Sequence, residues 1–159
     1  LGGDNNEQLA SIANEMMDMV QARALQIRDT GEHMINMTML VREVGGSFQV
    51  GVPGRLSEPN LPDRAVVSIV AMTSYASTLE VRGAVGGILY HVARVMRRRY
   101  GNMLAVKYGY VPGKAFGMGG GTFPQIQIGF YGNLRARMQS PGKTARRKAK
   151  GYAQAKGRA

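Results

Sequence analysis

The run Ala65-Val-Val-Ser-Ile-Val-Ala-Met72 is apolar on both faces of an extended chain and rich in β-branched residues, so it reads as a strand buried on both sides. The rest of the chain has to cover it. Upstream, Leu9, Ile12, Ala13, Met16, Val20, Ala24 and Ile27 recur at three-to-four spacing and predict a long amphipathic helix, with Glu7, Asn14, Asp18, Gln21 and Arg28 pointing elsewhere. Asn5 and Gln8 have capping-box spacing at its start, and Thr30-Gly31 supplies a stop. From Asn36 the period changes to two: Met37, Met39 and Val41 alternate with Thr38, Leu40 and Arg42, and Gly45-Gly46-Ser47 precedes Phe48 to Val52, which reads as a β-hairpin. The competing reading extends the first helix through His33 to Val44.

Gly86 to Leu104 reads as a second helix that turns Ile88, Leu89, Val92, Val95, Met96 and Met103 inward and Arg94, Arg97 and Arg98 outward. Gly101 is an alternative stop, in which case Asn102 to Val106 starts a short strand. Residues 108–121, with Pro112-Gly113-Lys114 and Gly117-Met-Gly-Gly-Gly121, look loop-like, and Gln125 to Phe130 alternates as an edge strand after Pro124. The expected architecture is α+β: two helices on a mainly antiparallel sheet, one domain over residues 1–139 and a basic C-terminal arm over 140–159.

Charge divides this chain sharply. Residues 1–80 hold all ten carboxylates against five arginines, and residues 81–159 hold sixteen Lys and Arg against none, which gives the net charge of +11. A pI near 10.4 points to a polyanionic partner through its field. Arg97, Arg98 and Arg99 on the second helix, with Lys143, Arg146, Arg147, Lys148 and Lys150 in the arm, are the candidate contacts for a partner protein or a polyanion. Cations in a last helical turn also suit the helix dipole, so capping and solubility compete as the explanation of the arginine run. No base-reading motif accompanies these residues, so any nucleic-acid contact is expected to be sequence-independent.

Chemistry beyond binding finds little support. The chain has no cysteine, which excludes a disulfide framework and thiolate ligands. His33 and His91 stand apart from paired carboxylates, so no metal or cofactor is expected and both histidines read as structural. Gly142-Lys143-Thr144 resembles the end of a phosphate loop, but Arg137 stands where that loop needs a glycine. The acids form no close pair, and Glu80 is expected to join Arg82 or the 97–99 run instead. An enzyme is not expected.

Thr30-Gly31 after a long first helix, a strand closing in Val50-Gly51-Val52, and Tyr75-Ala-Ser-Thr-Leu-Glu80 before a second helix together resemble the tail-completion and neck proteins of long-tailed bacteriophages. The likeness covers roughly residues 5–105 and departs at Val81-Arg82, where that family often carries Gly-Thr. The resemblance implies an α+β protomer without catalysis, assembled in the host cytoplasm as an oligomeric ring at the head-tail junction of the virion. Its implied partners are further copies of itself, portal-connector or tail-tube proteins and the double-stranded DNA in the channel, with no membrane. The alternative is a sequence-independent nucleic-acid-binding protein of ribosomal or DNA-condensing type.

Overall fold

The computed structural model describes residues 2–26, 37–46, 61–72, 88–116 and 121–139. They form an α+β fold of two helices on one face of a five-stranded sheet. Helix α1 spans Gly2–Gln26, and strands β1 and β2 span Met37–Glu43 and Ala65–Ala71. Helix α2 spans Leu89–Tyr100 and leads into strand β3, Leu104–Pro112. A 3-10 turn at Gly113–Phe116, strand β4 at Thr122–Phe130 and the short strand β5 at Arg137–Met138 complete the order. In space the strands run β1-β2-β4-β3-β5. All pairings are antiparallel except β3 with β5.

Every residue of β2 is buried, because β1 and β4 flank it and both of its faces are covered. The alternation of the sheet separates two layers. Met39, Val41, Val67, Ile69, Val106, Tyr108, Ile126 and Ile128 face the helices and share one core with Leu9, Ile12, Met16 and Val20 of α1 and Leu89, Val92 and Met96 of α2. Each large apolar side chain taken from water there contributes about 1.5–3 kcal/mol. On the opposite face lie Leu40, Val70, Val111 and Phe123 in one small cluster and Val66, Ala105 and Leu134 in another. Between them runs a buried polar row, in which Ser68 Oγ donates to Gln125 Oε1 at 3.0 Å and Gln127 lies alongside.

The apolar stripe expected on α1 is buried as a set from Leu9 to Ala24. Its start differs, since helical geometry already begins at Gly2 and Asn5 lies inside the first turns rather than at a cap. Residues 37–43 are extended and not a continuation of α1; β1 pairs with β2 from Met37↔Ala71 to Glu43↔Ala65. The expected hairpin partner, 48–52, and the stop at Thr30-Gly31 lie outside the described residues.

Three expectations are corrected in the C-terminal half. Helix α2 is shorter than 86–104 among the described residues: it ends at Tyr100, leaving Met103 exposed and Val95 half-buried. Gly101 takes the stop position with a right-handed φ of −62°. The reason for glycine there is space, because its N–H bonds the Arg97 carbonyl at 2.9 Å and a Cβ would run into that same oxygen. The short strand expected after Gly101 forms from Leu104, but residues 108–112, expected in a loop, continue it; Leu104, Val106 and Tyr108 alternate inward while Lys107 and Gly109 obscure the pattern in the sequence.

Strand β4 is interior and not an edge, and it begins at Thr122. Pro124 is tolerated because it lies one residue beyond the last β2 partner of the strand, Gln125↔Val70, so its missing N–H removes no bond from that ladder.

Ile69 is fully buried at the centre of the main core. Ile69→Ala is therefore expected to lower the unfolding free energy by about 2–5 kcal/mol in a urea titration, while Gln21→Ala on the exposed side of α1 changes it by less than about 0.5 kcal/mol.

Candidate functional site

Helix α2 distributes its four arginines by the 100° step of an α-helix. Leu89, Val92, Ala93 and Met96 are buried against the sheet, so Tyr90, Arg94, Arg97 and Arg98, spaced at three to four residues, share the side facing β5. With Met138 of β5 they line an open depression of about 430 Å³. Arg94 lies with its guanidinium 6.0 Å from the centre of the Tyr90 ring, and Tyr108 packs against the same ring at 5.2 Å. The floor is thus apolar and held by aromatic contacts, and the rim is cationic.

Arg99 points the other way. Its Nη1 meets Glu15 Oε1 of α1 at 2.5 Å, and the neighbouring Tyr100 hydroxyl donates to Glu15 Oε2. One carboxylate therefore clasps two successive residues of α2 and ties the helices together. Glu15 and its hydrogen bond, helped by burial, raise the Tyr100 phenol above the ordinary tyrosine value, and Arg99 opposes that shift. Any stabilisation from this shift is complete below the ordinary value and is lost as pH rises through the raised one.

The concentration of positive charge leaves a signature on His91. Burial first, then the charges of Arg23, Arg94 and Arg98, push its imidazole below the ordinary histidine value. On the opposite face of the sheet edge, Lys107 and Arg137 are register partners, so two further cations stand side by side where β3 meets β5. The β5 edge is basic on both faces. A second open depression, about 500 Å³, follows residues 131–136, where Arg64 reaches across to Asn133 Oδ1 at 3.2 Å and to the Gly132 carbonyl.

Of the expected contacts, the structure brings Arg97 and Arg98 together and separates Arg99 from them. Among the described residues the carboxylate that meets the run is Glu15; Glu80 lies outside them, as do Thr30, Gly31, Tyr75, Lys143, Arg146, Arg147, Lys148 and Lys150. Glu15, Tyr90 and Met138 were not singled out by sequence reasoning. Glu15 had a usable signal, since it follows Ile12 by three residues and so borders the apolar stripe of α1, where a carboxylate can reach a neighbouring helix. Met138 had none, because its place beside α2 depends on the parallel β3–β5 pairing.

Among the described residues no group of three or more His, Asp or Glu side chains could hold a metal ion, and no helix is long and apolar enough to cross a membrane. No family model, curated protein or solved structure matches the chain.

The clasp and the cationic cluster each generate an expected outcome. Glu15→Gln lowers stability by about 1 kcal/mol in chemical denaturation, whereas Glu7→Gln on the exposed surface of α1 changes it by less than about 0.5 kcal/mol. For His91, the unfolded chain binds the proton more readily than the folded one, so stability falls as the solution is acidified below the ordinary histidine value of about 6.5. Urea midpoints measured between about pH 7 and pH 5 should decline less in His91→Gln than in the wild type.

Proposed function

We propose that the chain is a structural protein of the bacteriophage head-tail junction, a neck or tail-completion protomer that forms an oligomeric ring joining the portal-connector complex to the tail tube. The observation that carries this reading is the order and packing of its elements. A long N-terminal helix, an extended strand, a fully buried strand, a second helix and a closing antiparallel pair make the helix-on-sheet protomer that the resemblance implies.

The role needs no bond-making chemistry. It needs a rigid body with distinct faces, because a ring closes only when one surface of a protomer fits a different surface of the next at a fixed angle. The continuous helix-sheet core supplies the rigidity. The division of charge along the chain supplies two unlike surfaces, with Glu7 and Asp18 exposed on α1 and Arg94, Arg97 and Arg98 exposed on α2, which carries no acid. Such asymmetry favours one mutual orientation over its reverse. The ring would assemble in the host cytoplasm and remain in the virion.

A second reading, sequence-independent nucleic-acid binding, is favoured by the depression that Arg94, Arg97 and Arg98 share. It is compatible with the first, since a neck ring surrounds the path of the DNA.

Native mass spectrometry of the full chain, with cross-linking in the particle that contains it, tests the ring. The expected result is a closed oligomer of one fixed copy number, cross-linked to portal-connector or tail-tube proteins. A chain that stays monomeric at all concentrations and cross-links only to RNA contradicts it.

A further inference from the structure

We propose that the depression formed by Tyr90, Arg94, Arg97, Arg98 and Met138 is a binding site for the phosphate backbone of double-stranded DNA, and that Arg99 is excluded from it. The inference gives residues to the DNA contact in the reading above but does not depend on ring formation.

Three observations lead to it. First, Arg94 and Arg98 are four residues apart and Arg94 and Arg97 three apart, so the like charges repel along the helix, with no acid on α2 to offset them. An arrangement that costs stability in the free protein is relieved by an anion bridging the guanidinium groups. Guanidinium forks pair bidentately with phosphate and carboxylate oxygens alike, so the trio marks an anion site and the choice of phosphate rests on the spacing of charge along the partner.

Second, the site lies beside an edge that is cationic on its other face as well, through Lys107 and Arg137. The chain then continues from Gln139 into a stretch, residues 140–159, with seven Lys and Arg and no acid. A long partner of regular charge fits this better than a second copy of the chain. The acids among the described residues stand in small separate groups: Asp4 and Glu7 lie three positions apart near the start of α1, Asp18 follows eleven positions later, Glu43 ends β1 close to Asp63, and Glu15 is already held by Arg99. Duplex DNA instead presents a negative charge about every 1.7 Å of its axis.

Third, the aromatic floor is not arranged for stacking on exposed bases. The Tyr90 ring carries the Arg94 guanidinium on one side and packs against Tyr108, so its role is to hold Arg94 in place. Single-strand binders use open aromatic faces for stacking. Here the contact is backbone only, hence insensitive to sequence.

The experiment measures binding of the full-length chain to a short fluorescent duplex by anisotropy over a range of salt concentrations. The comparison is between wild type, Arg94→Gln/Arg97→Gln/Arg98→Gln and Arg99→Gln, with two duplexes of unrelated sequence and a poly-glutamate chain as competitor. Each phosphate neutralised contributes about −0.9 to the slope of log K against log salt, so the triple variant should flatten the slope by roughly 2–3. Arg99→Gln should keep the wild-type slope, and the two duplexes should bind alike.

Circular dichroism and melting curves verify that each variant is folded, and single Arg97→Gln and Arg98→Gln variants, each expected to flatten the slope by about 1, replace the triple variant if it is not. An unchanged slope in folded variants overturns the proposal and leaves DNA binding, if any, to other cations. Equal flattening by Arg99→Gln overturns it, as does the absence of DNA binding or stronger competition by poly-glutamate than by unlabelled duplex. A fixed oligomer alongside any of those results would retain the ring reading while removing this site.

Discussion

Helix α2 has one way to bury Leu89, Val92, Ala93 and Met96 against the sheet, and that seating settles the direction of every charge it carries. The apolar stripe meets Leu104, Val106 and Tyr108 of β3, the strand that follows α2 after a tight turn at Gly101. The short connection leaves little freedom of register. Once the stripe is down, Arg94, Arg97 and Arg98 project towards β5, while Arg99 and Tyr100 rotate towards α1 and find Glu15. A one-residue rotation of the helix would expose Met96 and separate both groups, so hydrophobic burial of about 1.5–3 kcal/mol per large side chain outweighs the repulsion among the arginines, which is worth a few tenths per pair.

The same arithmetic ranks the two roles within the arginine run. The Arg99–Glu15 pair is partly exposed, with 55% and 32% of the two side chains accessible, so its Coulomb attraction is screened and contributes modestly. It matters as a positional clasp: Tyr100 shares the carboxylate, and α1 and α2 are fixed side by side over the sheet. The three remaining arginines have no comparable carboxylate on α2 and lie at an edge whose far face carries Lys107 and Arg137. One arginine of the helix is thus tied into the fold while three stay at its open edge.

Much of the fold was legible because its periods are clean. The stripe from Leu9 to Ala24, the alternation from Met37 to Val41 and the continuous run from Ala65 to Ala71 each match one template, and each forms the expected element. The misreadings fall where local signals conflict with long-range pairing. Lys107 and Gly109 disguise β3, and Pro124 marks β4 as an edge although its missing N–H lies beyond the β2 ladder. At the site, the helical period already turns Arg94, Arg97 and Arg98 outward together, yet the candidate contacts keep the adjacent triplet Arg97-Arg98-Arg99; setting Arg99 apart requires its partner Glu15 on α1, which only tertiary packing supplies. Met138 enters only through tertiary pairing.

The central claim is that one arginine of α2 belongs to the fold while three face a polyanion, and arginine side-chain NMR resolves it residue by residue. Guanidinium Nε–Hε resonances, assigned by single Arg→Lys substitutions, would be followed as duplex DNA is added to the full-length protein. The account predicts that the signals of Arg94, Arg97 and Arg98 shift together with the DNA concentration while the Arg99 signal stays at the position set by Glu15. Movement of Arg99 with the other three, or no movement of any of them while the chain binds DNA, would contradict it.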